Sequence, residues 1–151
     1  MSAPADRLFT IGYEGRTLEE YLGLLVAHEC TLLCDVRRNP VSRKPGFSRR
    51  RLAEGCEAAG LRYEHVPELG IASEDRKAVR TPQELAALFD RYRQVLLPQV
   101  AVHVERIADW IRVGERVALT CFERDPIECH RHLVAAGVVA LLGAGTQIQH
   151  L

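Results

Sequence analysis

Residues 31–40 read Thr31-Leu32-Leu33-Cys34-Asp35-Val36-Arg37-Arg38-Asn39-Pro40. The apolar run from Thr31 to Val36 shows no polar alternation and is closed by Asp35 and Arg37, which is the pattern of a strand covered on both faces in a parallel sheet. Asn39-Pro40 punctuates its end. Toward the N-terminus, Leu8 to Gly12 reads as a short apolar strand running into Gly12-Tyr13-Glu14-Gly15, where two glycines permit a tight turn. Thr17 and Glu20 then make a capping box, and Leu18, Tyr21, Leu22, Leu25 and Val26 keep the spacing of an amphipathic helix.

On the other side of the strand, Ser48 is placed to cap a helix through Ala59 that Gly60 ends, with Leu52, Cys56 and Ala59 on one face. Leu61 to Val66 is a third strand, and Pro67 to Arg80 reads as a long polar loop. Thr81-Pro82-Gln83-Glu84 combines a cap, a first-turn proline and a capping-box glutamate; it starts a helix that Pro98 interrupts, and a further helical segment reaches about Val113. Arg116 to Cys121 is the fourth strand. Asp125-Pro126-Ile127-Glu128 repeats the start signal and predicts one apolar helix through Leu142, ended by Gly143. Thr146 to Leu151 adds a final strand. Strands alternating with helices mean βαβ units. The expected fold is α/β: a single three-layer domain over residues 8–151, mainly parallel sheet with helices on both faces, preceded by a loose tail over residues 1–7.

The 151 residues suffice for one core without metals or disulfides. The five cysteines are an odd number. No N-terminal apolar stretch resembles a signal peptide, and the longest apolar run is too short for a bilayer, so a reduced, cytoplasmic protein without a membrane partner is expected. Charge is unevenly spread. Seven basic residues and no acidic one fall within positions 37–51, RRNPVSRKPGFSRRR, leaving 13 basic against 20 acidic residues elsewhere, a balance of −7. A focused positive field on an otherwise acidic molecule favours a phosphate, a nucleotide or a defined nucleic-acid segment as partner. Arg49, Arg50 and Arg51 also oppose the positive end of their own helix unless an anion accompanies them.

In an open α/β sheet the loops leaving the carboxyl ends of the strands gather on one edge, where ligands bind. That rule collects Tyr13 and Glu14, then Asp35, Arg37 and Arg38, then His65 and Glu68, and finally Cys121, Glu123, Cys129, His130 and Arg131. Arg37 and Arg131 would make a forked donor pair for phosphate, with Arg43 beside them. Glu123 or Asp35 is the candidate general base. Cys129, expected in the first turn of a helix, is the candidate nucleophile. His130 and Cys121 are expected to support these groups. A satisfied core histidine and a small buried thiol are the plain alternatives for His130 and Cys129. The spacing C-x7-C-H-x-H matches no common zinc pattern, and in a continuous helix His130 and His132 would face different sides, so no metal is expected. A cysteine-phosphatase loop fails because Ile127 stands where its arginine belongs. Without a Walker loop or GxGxxG, no cofactor is expected either.

Several of these residues together resemble the bacterial and archaeal family called domain of unknown function 488. They are Thr10-Ile11-Gly12-Tyr13 with Thr17, Cys34-Asp35-Val36-Arg37 with Pro40, Ser42 and Phe47, then Tyr63, Leu69-Gly70, Cys121-Phe122-Glu123 and Cys129-His130-Arg131. The resemblance implies that these polar residues form one pattern, but supplies no reaction. Ile71 stands where the family often has another glycine, which predicts a different loop conformation there. Three function classes fit the sequence. The first is a hydrolase or transferase whose strand-end cleft, with Tyr13, Arg37, Arg43 and Arg131 as contacts, binds a phosphorylated small molecule or nucleic acid. The second is a non-enzymatic nucleic-acid-binding module using Arg37 to Arg51, with Phe47 as stacking platform. The third is a cysteine-dependent, rhodanese-like sulfur-transfer or redox enzyme.

Overall fold

A computed structural model describes residues 7–151. Five parallel strands form one sheet in the order β3-β2-β4-β1-β5. They are β1 (Arg7–Gly12), β2 (Leu32–Asp35), β3 (Arg62–His65), β4 (Val117–Cys121) and β5 (Gln147–His150). The expected tail lies outside the described residues, except for Arg7, which opens β1. Strands β2 and β4 are buried throughout, as the unalternating apolar run at Thr31 to Val36 demands.

Helices cover both faces. On one side, α1 (Leu18–Ala27) and α2 (Arg49–Ala58) bury Tyr21, Leu25, Leu52 and Cys56 against Phe9, Ile11, Leu33 and Ala118. On the other, α6 (Ala101–Arg112) and α7 (Arg131–Leu142) bury Val104, Ile107, Val134 and Val138 against Leu8, Leu32, Cys34, Val117 and Leu119. Successive strand residues thus serve opposite cores, the two-residue period of a pleated strand. A buried relay crosses the first core: Tyr21 Oη donates to Thr120 Oγ1 at 2.6 Å, and Thr120 Oγ1 donates to the Ile11 carbonyl at 2.9 Å.

The N-cap halves of both boxes form: Glu20 N donates to Thr17 Oγ1 and Glu84 N to Thr81 Oγ1, while Glu84 Oε2 accepts from Arg80 N rather than from Thr81 N. Ser48 precedes α2 but makes no side-chain cap, because its hydroxyl is spent on Ser42 N and O. The supposed loop from Pro67 to Arg80 contains a 3-10 turn, Pro67–Leu69, and a short helix α3 (Ser73–Lys77). Helix α4 (Pro82–Arg91) widens through a π-helical stretch, Tyr92–Leu96, into a short turn α5 (Leu97–Gln99), and the chain breaks at Val100. Pro98 lacks the amide that a regular helix would need there. Helix α6 runs back toward the start of β4, with Arg106 lying over Trp110 near that end.

The largest departure is at residues 126–130. The predicted single helix is broken: Pro126–Glu128 is a 3-10 turn capped by Asp125, Cys129 is extended, and α7 begins only at Arg131. Extending Cys129 turns its side chain back under the sheet edge, where Cys121 is waiting. The sequence pattern could not reveal this break: Ile127 reads as part of the apolar helix but is 70% exposed, and the 3-10 turn buries none of its residues.

Candidate functional site

Register sets the site. Gly12 pairs with Cys121, Asp35 with both Thr120 and His65, so the carboxyl ends of four strands finish in one row. The chain leaves β1 and β2 toward one face and β4 toward the other, which opens a crevice where the direction switches. The loop after β4 lies across the end of β1. A Cβ on Gly12 would collide with the Glu123 carbonyl, so only glycine admits this crossing. Glu14 fastens it: Glu14 N donates to the Phe122 carbonyl at 2.9 Å, and Glu14 Oε1 accepts from Arg124 N at 3.0 Å. Gly70 plays the matching part opposite, where a Cβ would strike the backbone of Arg38.

Beneath the crevice sits a closed ion-pair knot. Arg37 donates from Nε and Nη2 to the two Asp35 oxygens at 2.8 and 2.7 Å, and from Nη1 to Tyr13 Oη at 3.1 Å and the Phe47 carbonyl at 2.6 Å. Tyr63 Oη donates to Asp35 Oδ2 at 2.5 Å. Asp35 is fully buried, and Arg37 nearly so. Two sequence readings change accordingly. Arg37 has its fork already filled by Asp35, so it braces the loop rather than clamping phosphate with Arg131. Asp35 accepts three side-chain donors and does not line the cleft, which leaves it no position as a general base. Phe47 is buried, stacked on Tyr13 at 4.6 Å and edged by Tyr21, so it offers no platform for a base.

The second cluster faces the cleft. Cys121 and Cys129 bring their sulfurs into contact, with Cα atoms 7.1 Å apart, so a disulfide can close between them and Cys129 can act as a nucleophile only while the pair is reduced. Because a carbonyl only accepts, the 2.9 Å contact between His130 Nε2 and the Val36 carbonyl fixes the proton on Nε2. The lone pair of Nδ1 then points toward Cys129 Sγ, 3.9 Å away. Burial pushes the His130 pKa down to about 4, against the pull of that carbonyl. His130 stands at the N-cap of α7, ahead of its first turn, rather than within a continuous helix.

Arg131 has no exposed surface. Its Nη1 donates to the Glu123 carbonyl at 2.6 Å and to Cys121 Sγ at 3.4 Å, its Nη2 to the Arg124 carbonyl at 3.2 Å, and its backbone N to Cys129 Sγ at 3.5 Å. Its Nε is buried without a partner. No carboxylate pairs with it among the described residues. Burial lowers its pKa to about 10, with Glu123 pulling the other way. Glu123 is partly buried, and burial raises its pKa, opposed by its own backbone hydrogen bond, Arg76 and Arg131.

The cleft itself encloses about 440 Å³. Its floor is Tyr13, Cys121, Cys129 and His130, and Glu123 projects into it; Arg38, Arg43, Arg76 and Lys77 stand around it. Of the expected residues, the fold thus gathers Tyr13, Arg43, Cys121, Glu123, Cys129 and His130 at the cavity. Arg37 also borders it, Arg131 lies behind it, and Asp35 and Phe47 lie beneath. Sequence reasoning missed Arg76 and Lys77 because α3 was read as loop, and Phe122 because one exposed ring leaves no periodic trace. Phe122 is 46% exposed and edges Tyr13 at 5.3 Å.

The family described as Domain of unknown function DUF488 matches residues 17–138, and the chain belongs to it. No curated protein matches. Among solved structures, a candidate phosphatase of DUF442 from Shewanella putrefaciens CN-32 is 11% identical, with a TM-score of 0.42 over 95% of this chain and 93% of that one. A likeness of that size lends nothing to the chemistry.

Proposed function

We propose that this DUF488 member binds a phosphorylated ligand, a nucleotide or a nucleic-acid segment, in the strand-end cleft and acts on it by hydrolysis or group transfer. The observation that carries the reading is the convergence of Arg38, Arg43, Arg76 and Lys77, from two separate segments, on the cavity into which Glu123 projects. Arg76 reaches Glu123 Oε1 at 3.7 Å, whereas Arg38, Arg43 and Lys77 have no ion-pair partner among the described residues. Unpaired cations around a concave surface focus positive potential into it and select anions. Phe122 supplies an exposed ring on which a base can stack. Two carboxylates, Glu123 and Glu128, line the cleft, and Glu123, beside Cys121 and Arg76, is the one we assign to accept a proton from an attacking water or hydroxyl.

Binding of a fluorescent mononucleotide and of a single-stranded oligonucleotide, each across a salt series, tests this. Replacing both Arg43 and Lys77 with alanine should weaken mononucleotide binding about tenfold and reduce the salt slope by roughly 1 to 2, one unit for each lost phosphate contact. Glu123→Gln should keep binding and lose turnover by about a hundredfold or more. Unaltered binding in the double variant would refute the cleft as the anion site. Oligonucleotide binding with a steep salt slope and no mononucleotide binding would favour a non-enzymatic module instead.

A further inference from the structure

We infer that Cys121, Cys129 and His130 hold a tetrahedral divalent metal ion of the zinc class when the two thiols are reduced. Their ligand atoms, both Sγ and one ring nitrogen, all lie within 4.8 Å of one another at the floor of the cleft. Two thiolates and one imidazole are the donor set that soft, tetrahedral sites use, and three protein ligands leave a fourth position for water or substrate. Here that position faces the cavity, and Glu123 stands beside it, its Oε2 3.7 Å from Cys121 Sγ.

Three independent features point the same way. The first is the imidazole: its Nε2–H donation to the Val36 carbonyl leaves Nδ1 unprotonated and turned toward the sulfurs, the outer hydrogen bond that metal-bound histidines make. The second is the spacing of the main chain. At 7.1 Å the Cα atoms of Cys121 and Cys129 stand wider than the roughly 4.4 to 6.8 Å usual for a disulfide. Two thiolates on one zinc, each about 2.3 Å from it, keep their sulfurs about 3.8 Å apart, which suits a wider frame. The third is charge. Arg131 is a fully buried cation whose donors meet two carbonyls and Cys121 Sγ, with no ion-paired carboxylate among the described residues. A buried cation requires an anion nearby, and a thiolate at Cys121 supplies one where a disulfide sulfur does not.

The chemistry balances simply. A trialkylphosphine reduces the disulfide and leaves as the phosphine oxide, with oxygen from water, giving two thiols; the metal ion then displaces one proton from each as two thiolate bonds form. His130 precedes α7 and does not share a helix with His132, so the expectation that the two rings face different sides of one helix does not bear on a site that uses His130 alone.

The test uses the full chain, reduced with the phosphine without oxygen, desalted and titrated with Co²⁺. One equivalent should give thiolate-to-cobalt charge transfer with the strong visible bands of a tetrahedral site, and Zn²⁺ should abolish both. C121S and C129S should each lose about half of the charge-transfer intensity, since each removes one of two thiolates. Independently of any variant, Zn²⁺ should slow alkylation of Cys121 and Cys129 in the reduced wild-type chain about tenfold or more. The inference is overturned if reduced wild-type protein gives no thiolate-to-cobalt absorption, if Zn²⁺ leaves alkylation of the pair unchanged, or if the disulfide resists the phosphine in the folded chain. No phosphorylated ligand enters these measurements, so their failure and that of the anion-site reading are separate results.

Discussion

Asp35 and Arg37 lie next but one in sequence and face one another with both carboxylate oxygens engaged. Such a buried pair is a weak source of net stability, yet removing one member strands the other. Asp35→Asn should therefore cost about 3 to 5 kcal/mol in urea unfolding, because Arg37 keeps its charge and its place under Tyr13 and Phe47. A loss under about 1 kcal/mol would mean that the guanidinium escapes to water. The three cysteines outside the cleft give a second prediction. Burial pushes the thiols of Cys30 and Cys56 up to about 12 and that of Cys34 higher still. A raised thiol pKa means a smaller thiolate fraction at every pH below it, so at pH 8 these three should alkylate more slowly, by a factor of well over about ten, in folded protein than in the urea-unfolded chain, where they ionise as ordinary thiols. Peptide mass spectrometry resolves the sites, and rapid reaction of Cys56 near pH 8 would show that α2 opens readily. The partners of Arg37 could not be read from sequence: an arginine in a basic run looks solvated, and only folding shows that Phe47 and Tyr13 close over it.

Among the elements, the turn after β1 and the loop after β4 behave as one object, held by the Glu14 contacts and admitted by Gly12. Gly12→Ala should push residues 122–124 off the end of β1. The expected cost is about 1 to 3 kcal/mol, as for other forced overpacking. Because Cys121, Glu123 and Arg131 hang on that loop, ligand binding should fall more than stability does, which paired binding and unfolding measurements would show. Equal binding in a stable variant would mean that the crossing is not what shapes the cleft. Most elements were legible in the sequence. Strand β2 came from an unalternating apolar run, β1 from a short apolar run ending in glycine, and α1 and α4 from their cap signals. What escaped were the places where tertiary contact overrides local pattern: α3 inside a polar stretch, the π-helical widening before Pro98, and the extended Cys129 that interrupts what reads as one helix. The last of these mattered most, since it moved His130 off a helix and toward the two sulfurs.

Over the whole molecule, parallel strands place the chemistry at one edge and leave the opposite edge without it, and this much follows from βαβ alternation alone. The order of the strands does not, because crossover lengths are compatible with several orders. No helix among the described residues is long and apolar enough to cross a membrane. The basic run divides on folding: Arg37 is buried, Arg38 and Arg43 stand at the cleft, and Arg50 and Arg51 turn to Glu54 on the surface. Charge density in sequence thus overstates the number of cations a ligand can meet. The chain's one tryptophan, Trp110, sits near the end of α6 that leads into the start of β4, across the sheet from the cleft. Its emission is consequently an optical channel blind to the occupant of the cleft and sensitive to loss of the fold. Saturating ligand should leave the native emission spectrum unchanged while raising the urea midpoint, so a single fluorophore already present can rank ligands by the protection they confer; a spectral shift on binding, before any unfolding, would mean that the two edges of the sheet communicate.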